Sequence, residues 1–135
     1  MNALQGQNIV SQQKVVTQVL FHYFDGLYHS DTRLLAAVFH PQAHYVCATE
    51  GALVYRNMDE YLPIVNKRPS PASLKERRQD RIVSIEFAGP VTAIARVECA
   101  IGNQFFTDFL TLIKLNQQWR IISKVFHYER LDLNV

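Results

Sequence analysis

FFTDFLTLIKLNQQWRIISKVFHYE, residues Phe105 to Glu129, reads as two long strands joined by a polar turn at Asn116-Gln117-Gln118. With Leu115 opposite Trp119, an antiparallel register sets Ile113 across from Ile121, Thr111 from Ser123, Phe109 from Val125 and Thr107 from His127 on one face. The other face then carries Phe106, Asp108, Leu110 and Leu112 against Tyr128, Phe126, Lys124 and Ile122. Both faces are largely apolar, so each needs cover. One is expected to pack on helices or line a pocket, and the other to meet a second copy in a homodimer.

Working outward, Arg81 to Phe87 and Val91 to Ile101 have strand character and flank a turn at Ala88-Gly89-Pro90. Ala93, Ala95, Val97 and Cys99 alternate there with Ile94, Arg96 and Glu98. Earlier, Ala43 to Thr49 alternates with Tyr45, Cys47 and Thr49 on one side, then turns at Glu50-Gly51 into Ala52 to Tyr55. Helical periodicity precedes these strands. Ser11 to His29 carries Val16, Val19, Tyr23 and Leu27 on one stripe, and Thr32 to Phe39 follows, capped by Ser30 or Asp31 and stopped by Pro41. A short third helix runs from an Asn57 cap to Asn66, with Pro63 inside it. KRPSPASLKERRQD, from Lys67 to Asp80, is the one long loop, a lid or a plain connection. The order predicts an α+β fold, its three helices gathered on one side of a curved, mostly antiparallel sheet. Residues 1–135 form a single domain, with 1–10 expected to be a poorly ordered lead-in.

Composition supports one core and narrows the partners. The chain has 135 residues, 48% of them hydrophobic, and a net charge of +2, so no overall field draws it to nucleic acid or anionic membrane. The start has no basic segment leading into an apolar run, and no stretch approaches the roughly 18 apolar residues of a membrane span. A soluble cytoplasmic protein is expected. Cys47 and Cys99 lie in separate strands and read as small buried hydrophobes.

Three stretches carry a family resemblance: YFDGLYHSDTRLLAAVFHPQAHYV, IEFAGPVTAIARVECAIG and FTDFLTLIKLNQQWRIISKVFHYE. Within them Phe24-Asp25-Gly26-Leu27-Tyr28, Phe39-His40-Pro41 and Trp119-Arg120-Ile121 recur in order. Over roughly residues 10 to 130 the chain resembles the nuclear transport factor 2-like superfamily, closest to its lumazine-binding and SnoaL-like branches. The resemblance implies a cone-shaped sheet wrapped around a long helix, a pocket inside it, and a dimer through the outer sheet face. Some members are isomerases or dehydratases. Tyr23 falls where the ketosteroid-isomerase-like members place an oxyanion-stabilising tyrosine, while Cys47 stands where they carry a base, so that chemistry lacks its proton acceptor.

The candidate site residues are Tyr23, Tyr45, Cys47, Tyr61, Asp108 and His127. Asp108 sits in an apolar strand face with Lys124 diagonal to it, a potential ion pair. His127 faces Thr107, and because Asp108 and His127 have opposite parity, a regular ladder lets only one of them meet Tyr23. His40 and His44 are separated by Pro41, and His22 and His29 lie two helical turns apart, so no metal site is expected. Nor is a cofactor: phosphate-loop, serine-elbow and dithiol motifs are absent. Lys67, Arg68, Lys75, Arg77, Arg78 and Arg81 make a solvated surface or an anion-binding rim. These residues favour a small-molecule-binding domain with a planar, mostly apolar ligand. A cofactor-independent isomerase or dehydratase, and an interaction module with a filled cone, are the alternatives.

Overall fold

Asn116 and Gln117 both adopt positive φ, 50° and 61°, and close the organising hairpin as a two-residue turn with Leu115 paired to Gln118. The computed structural model describes residues 3–131, with side chains from residue 9 onward. The two-residue turn corrects the three-residue reading and shifts the pairing near it by one, so that Ile113 opposes Arg120 and Leu112 opposes Ile121. One extra residue, Ile122, then bulges from the second strand and restores the expected pairing from Thr111–Ser123 to Thr107–His127. The bulge also switches side-chain parity. Trp119 and Ile121 before it, and Lys124 and Phe126 after it, all point to the buried face.

In chain order the elements are α1 (Ala3–His29), α2 (Thr32–Val38), β1 (Phe39–Cys47), β2 (Val54–Asn57), α3 (Met58–Lys67), β3 (Asp80–Phe87), β4 (Thr92–Ile101), β5 (Gln104–Leu115) and β6 (Gln118–Arg130). Six strands form one open sheet in the order β2-β1-β6-β5-β4-β3. Four of the five strand contacts are antiparallel, but β1 runs parallel to β6, which makes the sheet mixed. Its register jumps between Phe39 and His44, where Pro41 has no N–H to give the ladder. Strand β1 therefore starts directly at Phe39, earlier than its alternation suggests. Helix α1 likewise starts at Ala3, taking in most of the segment read as a loose lead-in, of which residues 1–2 lie outside the described residues.

The core is the space between the helices and one sheet face. Val16, Leu20, Tyr23, Phe24 and Leu27 of α1 pack over Ala93, Ala95 and Val97 of β4, Leu110 and Leu112 of β5, and Trp119 and Ile121 of β6. Trp119 Nε1 also donates to Gln12 Oε1 at 2.6 Å, tying α1 to the sheet. Asp31 caps α2 by accepting from Leu34 N, and Asn57 with Glu60 forms a reciprocal capping box on α3. Pro63 lies within α3 without ending it.

Gly26 explains one part of the Phe-Asp-Gly-Leu-Tyr motif. A Cβ there would stand 2.6 Å from Leu35 Cδ2 and 2.7 Å from its Cγ, and Leu35 is fully buried with nowhere to retreat. Gly26→Ala is expected to be destabilising: overpacking costs about 1–3 kcal/mol, more than the ~1 kcal/mol that alanine gains in a helix. A urea melt showing the variant equal to or above the wild type would contradict this close contact between α1 and α2.

The long loop is pinned as a connection. Ala72 N donates to Tyr28 O, Tyr28 Oη donates to Glu76 O at 2.7 Å, and Gly102 N donates to Glu76 Oε1. Arg78 bridges Asp25 at 2.6 Å and Asp80 at 2.7 Å while lying over the Tyr28 ring.

Candidate functional site

Tyr23 leaves α1 on its buried stripe and donates from Oη to Asp108 Oδ2 of β5 at 2.6 Å, with both residues fully buried. Burial foremost, and the Asp108 charge next, raise the Tyr23 pKa well above its ordinary value, so the phenol holds its proton. Asp108 Oδ1 has no hydrogen-bond partner. The expected Asp108–Lys124 ion pair is therefore not made, although the two share one interior.

Lys124 has a different partner set. It is 4% exposed, and its Nζ stands 5.0 to 5.6 Å from the ring centroids of Tyr23, Tyr45, Tyr61 and Phe126. Four aromatic faces around one ammonium supply cation–π attraction, roughly 0.5–2 kcal/mol apiece. Burial alone would lower the Lys124 pKa, but Tyr61 and Asp108 outweigh it and leave the ammonium above its ordinary value. The Ile122 bulge is what turns this side chain inward.

Beside the cage an open cavity of about 200 Å³ lies at the mouth of the cone. Tyr45, Tyr61, Phe106, Phe126 and Tyr128 form its aromatic walls, and Lys124 and Arg68 contribute its positive charge, with Cys99, Leu27, Ile101 and Gln104 completing it. Tyr45 and Tyr61 stack at 4.5 Å between centroids. The Tyr45 pKa is raised, chiefly by burial and against the pull of Lys124.

Of the six residues singled out in the sequence, Tyr45 and Tyr61 line the cavity and Tyr23 and Asp108 pair beneath the same interior. Cys47 and His127 fall elsewhere. The buried Cys47 thiol donates to Thr49 Oγ1, which is 2.8 Å from His127 Nδ1, and the largely exposed imidazole reaches toward Glu129 from the outer sheet face. Strand parity separates His127 from Asp108, as a ladder regular over that span requires. Of the other residues that line the cavity, the sequence does not single out Cys99, Phe106 or Phe126, offers Arg68 only as part of a basic run that is a solvated surface or an anion-binding rim, and offers Lys124 only as a partner for Asp108. A lysine within the apolar run Ile121 to Phe126 is the signal that could have drawn attention to it.

Both cysteines are free thiols. Burial first, and the Asp108 charge second, push the Cys99 thiol up to about 12, so that only about one molecule in ten thousand carries a thiolate there at pH 8. Native protein at pH 8 is expected to give almost no reaction with an aromatic disulfide reagent, and two thiols per chain once guanidinium is added. Fast labelling of Cys99 in the native state would contradict its burial.

Residues 11–127 match the family described as "Putative lumazine-binding", and the chain belongs to it. Its fold is nuclear transport factor 2-like. The structure is similar to an NTF2-like protein of unknown function from Silicibacter pomeroyi DSS-3, with a TM-score of 0.80 and 23% identity over 90% of this chain and 98% of that one. A second NTF2-like protein of unknown function, from Methylobacillus flagellatus KT, is 29% identical with a TM-score of 0.77, over 89% of this chain and 94% of that one. Among curated proteins, an aldolase, FrzH, from Cladobotryum sp is 21% identical over 87% of this chain and 91% of its own length. No helix among the described residues is long and apolar enough to cross a membrane.

Proposed function

We propose that this chain is a small-molecule-binding protein whose ligand occupies the cavity at the mouth of the cone. The observation that carries this is the open space of about 200 Å³ with an aromatic wall on several sides and a caged ammonium at its edge. Ordinary small-molecule pockets hold ~300–1,000 Å³, so the occupant is small, and stacked rings such as Tyr45 and Tyr61 favour a planar one. An interaction module with a filled cone has less support, because the aromatic side chains leave this space open. Native mass spectrometry of the purified protein tests the reading. A retained organic adduct is expected for wild type and lost from Phe106→Trp, whose larger ring fills the cavity; an adduct unchanged by that substitution would place the ligand elsewhere.

A proton-transferring enzyme is the second reading, supported by the Tyr23–Asp108 hydrogen bond and by the FrzH aldolase relative. In it Lys124 stabilises a developing oxyanion while the Tyr23–Asp108 pair exchanges the proton. Full burial of that pair favours binding over fast turnover. The outer sheet face, where Phe109, Val125, Ile94 and Val83 are exposed, suits pairing with a second copy. Light scattering at micromolar concentration is expected to give the dimer mass. Two buried free thiols fit a reducing, cytoplasmic setting.

A further inference from the structure

Resting on the cavity reading above, we infer that the ligand is a small planar organic acid whose carboxylate lies between Lys124 and Arg68. The walls of the cavity carry two cations and no acidic residue. Lysine and arginine are almost never withdrawn from water without an anionic partner. Lys124 is nearly fully buried, yet the one carboxylate in its interior is engaged with Tyr23 through Oδ2 and turns no oxygen to a hydrogen-bond partner through Oδ1. Arg68 shows the same deficit independently: its Nε is buried and makes no hydrogen bond. Arg78 and Arg81 of the same basic run are matched by Asp25, Asp80 and Glu98, whereas Arg68 makes no ion pair among the described residues.

Two cations on one cavity wall, with no acidic residue among those that line it, suit an anionic ligand. The guanidinium presents a planar fork suited to two carboxylate oxygens, and the ammonium supplies a compact point charge beside it. The rest of the wall selects the body of the ligand. Tyr45, Phe106 and Tyr128 offer ring surfaces to a conjugated plane, and the small volume restricts it to one or two rings. A phosphate monoester is the competing anion, with a third oxygen that needs a donor beyond the guanidinium and the ammonium.

Titrations with 2-naphthoate, the isosteric neutral 2-naphthamide and phenyl phosphate separate these possibilities, read by saturation-transfer NMR and tryptophan-independent ligand fluorescence. Wild type is expected to bind 2-naphthoate at least ten-fold more tightly than the amide or the phosphate. Arg68→Gln, at a loop position outside the core, is expected to fold normally and lose most of that preference, and Lys124→Met to abolish it. Equal binding of acid and amide overturns the carboxylate assignment while leaving the cavity reading standing. Tighter binding of phenyl phosphate overturns it in favour of a phosphorylated ligand. Failure of wild type to bind any of the three overturns both, and an acid preference undiminished in Arg68→Gln and Lys124→Met places the anion outside this cavity. If Lys124→Met fails to fold, Arg68→Gln alone decides.

Discussion

Asp108→Ala is expected to cost about 3–5 kcal/mol, because it leaves the Lys124 ammonium buried without any carboxylate in its interior. For a domain of this size that corresponds to a fall of roughly 10–20 °C in Tm. Tyr23→Phe removes only the hydrogen bond and is expected to cost about 1–3 kcal/mol, the penalty for stranding the second oxygen of a carboxylate that already has one unpartnered. Removing both charges together distinguishes an electrostatic cost from a packing cost. Asp108→Leu with Lys124→Met is expected to recover much of the loss, since no isolated charge then remains in the core. A double variant as unstable as Asp108→Ala would show that shape, not charge, sets the penalty. The same cluster predicts alkaline sensitivity. Tyr23, Cys99 and Lys124 each hold a proton more tightly in the fold than their ordinary values of 10.0, 9.0 and 10.5. The unfolded chain therefore sheds these protons first as pH rises, so the cluster's contribution to stability is constant below about pH 8 and declines from about pH 9 upward. Urea midpoints measured from pH 7 to pH 10.5 check the sign.

How far this cluster was legible in the sequence depended on one residue. The alternation of β5 places Asp108, Leu110 and Leu112 on one face directly, and the helical stripe brings Tyr23 above them, so the Tyr23–Asp108 approach follows from two simple periods. Lys124 was placed on the same face as Asp108, but only because the misread turn and the unread bulge at Ile122 offset each other beyond Thr111. Between them, Trp119 and Ile121 were assigned to the wrong side. A bulge leaves no local signature when its extra residue is another isoleucine, whereas Asn116-Gln117 did carry turn character and was misjudged only in length. The parallel β1–β6 contact was equally invisible. It joins segments about 80 residues apart, and neither strand's pattern names its neighbour. Arg68 is legible only as one member of a basic run that reads as a solvated surface or an anion-binding rim, and nothing in the sequence separates it from neighbours that are surface groups.

Leu110→Lys is expected to abolish folding, and Phe109→Lys, one position away, to leave the domain intact. Leu110 has no exposed surface and lies opposite Lys124 in the β5–β6 ladder, so its lysine would be a second ammonium beside one that is already buried. Loss of the leucine side chain alone costs about 2–5 kcal/mol, and like charges facing each other without water add to that. The sum approaches the whole stability of a domain this size, roughly 5–15 kcal/mol. Phe109 points the other way. It is 48% exposed, faces Val125 on the outer surface, and has the Arg96 guanidinium 5.9 Å over its ring. Its replacement forfeits that cation–π contact and some surface packing, about 1 kcal/mol in all. Circular dichroism melts and the dispersion of amide NMR signals separate the two outcomes. Similar damage from both substitutions would mean that the face of β5 bearing Phe109 is covered as deeply as the one bearing Leu110. A folded Leu110→Lys would mean that the face holding Lys124 admits water, which would remove the reason for expecting an anion beside it.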